Sequence, residues 1–316
     1  MGSTLQRASM AVAATFLIVA AGCSSSSKSG SSSSSAAGAS TTAPAATSGA
    51  SGAIPAATED SAAAALVPAA IKSKGSITYA LDATYAPDEF VAADGHTIVG
   101  MDADLSMAIS QVLGLKANLV NATFDTIIPG LLSGKYDVGN SSFTDTKARE
   151  AQVDFVDYFS AGEGFYEAAN NSTAFNGLAS LCGHKVSVES GTTEQSDAQT
   201  QAKACTTAGM PTVTVLTFQD QNSANLAVSS GRAEVGFADS QVAAYIVSQS
   251  NGQFKNTGTA FETAPYGIAM PKNGLAPAIL AAIKDLMSDG IYTQILTKWG
   301  VQAGAITNPV INGATS

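Results

Sequence analysis

A seven-residue pattern occurs twice in this chain and constrains its fold more than any other feature. Ser133-Gly134-Lys135-Tyr136-Asp137-Val138-Gly139 returns 97 residues later as Ser230-Gly231-Arg232-Ala233-Glu234-Val235-Gly236. Each copy ends a helix-like segment at Gly, crosses on a basic residue and enters a short apolar strand. Polar residues follow both: Asn140-Ser141-Ser142 after the first and Asp239-Ser240 after the second. The strand starts echo as well. Tyr79-Ala80-Leu81-Asp82 resembles Val186-Ser187-Val188-Glu189, each with an acid at its C-terminal end. Helix–Gly–strand runs are common and short echoes arise by chance, but two echoes in the same order argue for two similar α/β lobes. Open α/β sheets bind ligands at their strand ends, and pockets favour domain interfaces, so a site is expected between the lobes.

Local patterns fill in this frame. Ile77-Thr78-Tyr79-Ala80-Leu81 reads as a strand, and a second follows the Asp94-Gly95 turn. Asp102 is placed to cap a helix carrying Leu105, Ala108, Ile109, Val112 and Leu113 on one face, with Gly114 at its end. A strand over 117–120 and a short helix over 125–132 come next. Such alternation predicts an α/β fold with a largely parallel sheet.

The first 75 residues read differently. After Arg7, residues 8–21 are nearly all apolar, too few to span a hydrocarbon core of about 30 Å. They fit the h-region of a secretory signal. The run ends in Ala20-Ala21-Gly22-Cys23, which resembles a lipobox, although Ala20 stands where bacterial lipoproteins usually have Leu. The alternative is an ordinary signal cut nearby, with Cys23 a stray thiol. Residues 24–58 are mostly Ser, Ala, Gly and Thr and lack the apolar surface to offset ordering entropy. The expected plan is a lipoprotein signal peptide at 1–22, lipidation at Cys23, a disordered tether over 23–75 and a fold running from Ser76 to about Gly304. A C-terminal tail covers 305–316.

Charge narrows the function. Residues 1–75 hold four of the 15 Lys and Arg and two of the 25 Asp and Glu, leaving about −12 on the rest, which argues against a nucleic-acid groove or docking on anionic lipid. With two distant His and no Cys-x-x-Cys, a zinc site is not expected; no metal or cofactor is assigned.

Further motifs carry a family likeness. Asp82-Ala83-Thr84-Tyr85-Ala86-Pro87, Gly100-Met101-Asp102-Ala103-Asp104-Leu105, Phe124-Asp125-Thr126-Ile127-Ile128-Pro129, Asp145-Thr146-Lys147-Ala148-Arg149 and Val153-Asp154-Phe155 occur in that order. Gly191-Thr192-Thr193, Gly231-Arg232-Ala233-Glu234, Asp239 and Asp289-Gly290-Ile291-Tyr292 follow. Together they resemble the family 3 extracellular solute-binding proteins, the amino-acid receptors of ABC importers. The resemblance implies a two-lobed periplasmic-binding-protein-like fold of type II, with two α/β lobes joined by two hinge strands. Lobe one would hold 76–163 and 268–304, and lobe two 167–262.

It also implies a site. Arg149 would clamp the ligand carboxylate with its guanidinium fork; a surface helix residue pairing with Glu150 or Asp154 is the alternative. Asp239 would meet the ammonium, or simply cap a turn. Ser141, Ser142 and Thr144 match hydroxyl and backbone contacts of lobe one. Thr192 and Thr193 stand at an expected helix start, where exposed N–H groups favour a carboxylate. Tyr85 and Phe124 match aromatics that sandwich the ligand side chain, although Asp88 stands where a further aromatic is usual. Asp82 and Glu189 would set side-chain selectivity toward a polar or basic amino acid, with Asp88 and Glu194 left open. Cys182 and Cys205, 23 residues apart, would form a disulfide in an oxidising compartment, worth roughly 3 kcal/mol by loop closure; two free thiols are the alternative. The implied protein is a monomeric receptor without chemistry. It sits on the extracytoplasmic face of the cell membrane through its lipid and passes its ligand to an ABC permease. A dehydratase of the cyclohexadienyl type, with Glu189 or Glu194 as acid–base, and a sensor subunit are the alternatives.

Overall fold

The computed structural model describes residues 55–315; the signal segment, Cys23 and most of the expected tether lie outside the described residues. Order begins earlier than expected. Helix α1 (Ser61–Ala65) is capped by Asp60, whose carboxylate accepts the Ala62 N–H, and α2 (Ala69–Lys74) ends on left-handed Gly75. Ala63, Val67 and Ile71, spaced by four, are buried in the lobe-one core. A tether reaching residue 75 is therefore corrected. The average composition of the run hid three apolar residues able to share one face.

Strand β1 (Ser76–Leu81) leads into a small antiparallel sheet of β2 (Thr84–Tyr85), β3 (Glu89–Val91) and β4 (Ile98–Val99). Helix α3 (Met101–Val112) returns the chain to β5 (Lys116–Asn121), and α4 (Phe124–Leu132) to β6 (Val138–Gly139). Both β5 and β6 pair parallel with β1. The expected apolar face of α3 is buried against this sheet. Asp102 is not the cap. Gly100 holds that position, and the Asp102 carboxylate turns inward to accept the Ser142 N–H at 2.9 Å and the Tyr158 hydroxyl at 2.6 Å. The short helix α5 (Lys147–Glu150) then precedes β7 (Asp154–Ala168).

The second half repeats the plan. Strand β8 (Lys185–Glu189), α6 (Thr193–Thr207), β9 (Thr214–Phe218), α7 (Gln221–Ser229), β10 (Val235–Asp239) and α8 (Ser240–Gln249) lead to β11 (Phe254–Met270). Helices α9 (Ala276–Ser288) and α10 (Ile291–Trp299) close the first core. The sheet order is β5-β1-β6-β11-β7-β10-β8-β9, so two long antiparallel strands, β7 and β11, carry a lobe at each end. Their pairing breaks register between Phe261 and Ala264 and again at Tyr266, with Glu262 at φ 50°. Irregular pairing bends strands, and here it falls between the lobes. Cys182 and Cys205 are bonded, with Cα atoms 5.7 Å apart.

The chain beyond Gly304 is part of the fold. Ala305 and Ile311 bridge to Phe159 and Val156, and Asp157 donates its N–H to the Val310 carbonyl. Beside this edge Asp145 is 1% exposed, with neither carboxylate oxygen hydrogen-bonded. Burial, then the charge of Asp157, pushes the Asp145 pKa up to about 8; burial pushes that of Asp157 to about 6. Between the unfolded carboxyl range near pH 4 and these values, the folded state holds protons that the unfolded chain has released. Stability must then fall as pH rises through that window. Urea unfolding between pH 5 and 8 is expected to show this fall, with a smaller slope in Asp145→Asn. Equal slopes in the two proteins would contradict it.

Candidate functional site

The cleft between the lobes is built from loops at the strand ends. After β6 the chain turns through Ser142, held at φ 48° by its N–H on Asp102 and its hydroxyl on Asp88. A non-glycine residue in the left-handed region is strained, and strain of this kind gathers at functional sites. Thr146 then caps α5, accepting the Arg149 N–H. Lys147, not Arg149, pairs with Glu150 on the outer surface. Arg149 turns into the cleft, its guanidinium about 5.5 Å from the ring centres of both Phe124 and Phe143. It donates to the Thr144 carbonyl at 2.7 Å and, across the cleft, to the Gly191 carbonyl at 3.0 Å. A guanidinium has five N–H donors, so most of the fork remains for a ligand.

Lobe two presents the N-terminus of α6. Thr192 caps it, accepting the Gln195 N–H, and Thr193 shares a 3.4 Å hydrogen bond with Thr144 of lobe one. Asp239 precedes α8 but makes no side-chain cap. The cap reading of its role fails, and its buried carboxylate is available to the cleft. Tyr85, Phe124, Ser142, Thr144, Arg149, Thr192, Thr193, Glu194 and Asp239 line one small cavity of about 10 Å³. That is room for a single water, so a larger solute requires the lobes to part. Other contacts tie the lobes together: Gln221 N–H to the Thr84 hydroxyl, Ser190 to Asp125, and Gln241 to Asp88. A wider cavity of about 600 Å³ adjoins, sharing Arg149 and Asp239 and adding Glu163, Asp197 and Glu262.

Acids dominate the electrostatics. Burial, then the charge of Glu194, holds Asp239 well above the ordinary carboxylate range; burial also raises Glu194. Burial pulls Arg149 down, opposed by the charges of Glu194 and Asp239. Glu189 is 1% exposed, with both oxygens lacking a hydrogen-bond partner, and burial followed by the Asp82 charge lifts it to about 10. Asp82 is raised as well, chiefly by burial.

Three expected residues lie outside the lining of the small cavity. The Ser141 hydroxyl is engaged elsewhere, accepting the Asp82 N–H and donating to Glu89, so its place is support rather than contact. Asp82 accepts from Thr84 and from the Phe124 N–H, and with Glu189 it stands behind Tyr85. Asp82 also borders an outer cleft of about 650 Å³. Asp88 is wholly buried on Ser142 and Gln241. The cross-lobe roles of Gln221 and Gln241 had no sequence signal, since each depends on a partner more than 130 residues away.

Two α/β lobes on a pair of shared strands, closing over a polar cavity, define a solute-binding protein of the type II fold. The chain belongs to the bacterial extracellular solute-binding proteins, family 3, whose family model it matches over residues 77–302. It is 32% identical over 250 residues to the arginine-binding protein ArgT of Corynebacterium glutamicum, covering 78% of this chain and 82% of that one. It is 32% identical over 209 residues to the ABC transporter glutamine-binding protein GlnH of Bacillus subtilis, covering 64% and 72%. Among solved structures, an ancestral arginine-binding protein bound to arginine matches with a TM-score of 0.65 and 36% identity, over 71% of this chain and 98% of that one. An ancestral amino-acid-binding precursor of cyclohexadienyl dehydratase matches at 31% identity and TM-score 0.65, over 73% and 97%. Among the described residues no helix is long and apolar enough to cross a membrane.

Proposed function

We propose that this chain is a receptor for a cationic amino acid of the arginine type, which it binds without altering and passes to an ABC importer. A zwitterion needs both charges paired when taken from water. Arg149 receives the carboxylate, together with the N-terminus of α6, and Asp239 receives the ammonium. Tyr85 and Phe124 flank the side-chain stem. The observation that carries the choice of a basic side chain is the buried pair of Asp82 and Glu189 behind Tyr85, with Glu189 lacking any hydrogen-bond partner. A guanidinium fork favours the ionised form of both carboxyls, whereas an acidic side chain would add a further negative charge beside them. The arginine-binding relative and the arginine-bound ancestral protein support this class of ligand.

The test is titration of protein freed of bound ligand by unfolding and refolding. A ligand that binds only the folded state at 100 times its Kd adds about 2.7 kcal/mol of stability. Arginine is expected to raise the melting temperature more than the other standard amino acids do, to bind one to one, and to be recovered unchanged. Preference for an acidic amino acid, or no response to any, overturns the reading. Consumption of the ligand favours instead an enzyme with Glu189 or Glu194 as acid–base, a reading the dehydratase-precursor neighbour keeps in play.

We place the protein on the extracytoplasmic face of the membrane, monomeric and held by lipid on Cys23, on the strength of the Ala20-Ala21-Gly22-Cys23 run. Cys23→Ser is expected to move the protein from the membrane to the soluble fraction while leaving its ligand affinity unchanged. Wild-type protein that is wholly soluble and carries no acyl mass would refute the anchor.

A further inference from the structure

We infer that Glu163, Asp197 and Glu262 form a binding site for a hard divalent cation of the calcium class, at the crossover between the lobes. One carboxylate oxygen from each residue lies within 4.8 Å of the others. The three come from separate elements. Glu163 sits on β7, where it pairs with Asp239 of β10 and Phe261 of β11. Glu262 follows Phe261 at the register break, its left-handed backbone turning it away from the regular ladder. Asp197 stands on the second turn of α6. All three line the same cavity of about 600 Å³.

Proximity of acids alone makes no site, and the second observation is Glu163 itself. It is only 6% exposed, and its Oε2 is buried with no hydrogen-bond partner. Among the described residues none of the three carboxylates takes part in an ion pair. Arg149 lines the same cavity, but its observed hydrogen bonds go to the Thr144 and Gly191 carbonyls. Burying a carboxylate beside others without compensation is costly. Burial, then the charges of Glu194 and Asp197, pushes the Glu163 pKa up to about 11. A proton on Glu163 relieves one charge only; a divalent cation engages all three groups.

The donor set selects the ion. Three oxygens and no nitrogen or sulfur disfavour zinc and copper and suit magnesium, calcium or manganese. Oxygens bound at about 2.3–2.6 Å can stand up to roughly 5 Å apart across a calcium ion, whereas magnesium demands a tighter, near-octahedral set. Glu262 is exposed and Asp197 partly so, leaving faces where water completes a flexible shell. The scarcity of His and the lack of a Cys-x-x-Cys speak against zinc and say nothing of an all-oxygen site. Carboxylates at 163, 197 and 262 share no spacing that a sequence pattern could reveal.

The experiment uses the full chain, treated with chelator and free of amino acid, so its outcome does not depend on the amino-acid reading. Calorimetric titration with calcium chloride is expected to show one saturable site, with a Kd of about 10⁻⁴–10⁻³ M as in extracellular calcium modules. Magnesium chloride at matched ionic strength should bind more weakly. Asp197→Asn and Glu262→Gln, both at solvent-reaching positions, should each weaken calcium binding about tenfold or more. Glu163→Gln should abolish it; if that variant fails to fold, the other two carry the test. No calcium binding by wild type at about 10 mM, well above the expected Kd, or unchanged affinity in both Asp197→Asn and Glu262→Gln, overturns the inference.

Discussion

Arg149→Ala is expected to weaken amino-acid binding by about 30-fold to several thousand-fold. The range follows from the 2–5 kcal/mol lost when one member of a buried charge pair is truncated, at 1.4 kcal/mol per tenfold. The size of the effect rests on where the side chain is. The guanidinium lies against the stacked pair of Phe124 and Phe143 and already spans the lobes through the Thr144 and Gly191 carbonyls. Its removal takes away the carboxylate partner and one of the ties across the cleft. A ligand shifts an open–closed equilibrium only by its differential affinity for the two states. The variant should therefore also lose compaction on adding ligand, as read by small-angle scattering. Arg149→Lys keeps the charge but not the planar fork and should fall between the two. Were Arg149 a solvated helix residue, its loss would cost no more than a surface ion pair, about 0–1 kcal/mol. Wild-type affinity and undiminished closure in Arg149→Ala would return it to that role and remove the basis for the inferred site.

The echo at 133–139 and 230–236 pointed to two lobes because it records local chemistry: a glycine at φ 76° or 70° that ends a helix turn, followed by a buried strand. Such features depend on neighbours in sequence and are legible there. Arg149 and Asp239 are singled out by family likeness and not by local pattern, since an Arg beside Glu150 reads equally well as surface. What escaped the sequence was long-range. The role of Ser141 is decided by Glu89 and Asp82, 52 and 59 residues away. Asp102 reads as a cap because acids favour helix starts, yet its partners are Ser142 and Tyr158, which only the folded sheet brings near. The packing of the last residues along β7 was hidden for the same reason. Their pairing partners lie some 150 residues earlier, and an end broken by Asn308-Pro309 and Asn312-Gly313 carries no strand periodicity.

Glu189→Gln is expected to weaken arginine binding by about 10- to 150-fold. That follows from the 1.5–3 kcal/mol carried by a hydrogen bond to a charged group, while glutamine binding changes far less. The pH dependence separates this from a general loss of fit. Burial and the charge of Asp82 hold the Glu189 pKa at about 10, so near neutrality the carboxyl is protonated before the ligand arrives. A guanidinium placed between Asp82 and Glu189 favours the ionised form, so binding expels the proton. Protons and arginine then compete for the same carboxyl, and affinity must rise with pH, by up to about tenfold per unit if a whole proton is released. The guanidinium of free arginine stays charged, and any loss of the α-ammonium proton toward pH 8 would weaken binding, so neither adds a slope of this sign. Calorimetry in buffers of different ionisation enthalpy reads the released proton directly. In Glu189→Gln the position no longer titrates, and both the proton release and the rise of affinity with pH should shrink together. Asp82→Asn removes the charge that helps to raise Glu189, and should weaken arginine binding while lowering the number of protons expelled. If Glu189→Gln binds arginine as tightly as wild type with the same pH slope, or loses glutamine in equal measure, the two acids are structural and selectivity for a cationic side chain lies elsewhere in the cleft.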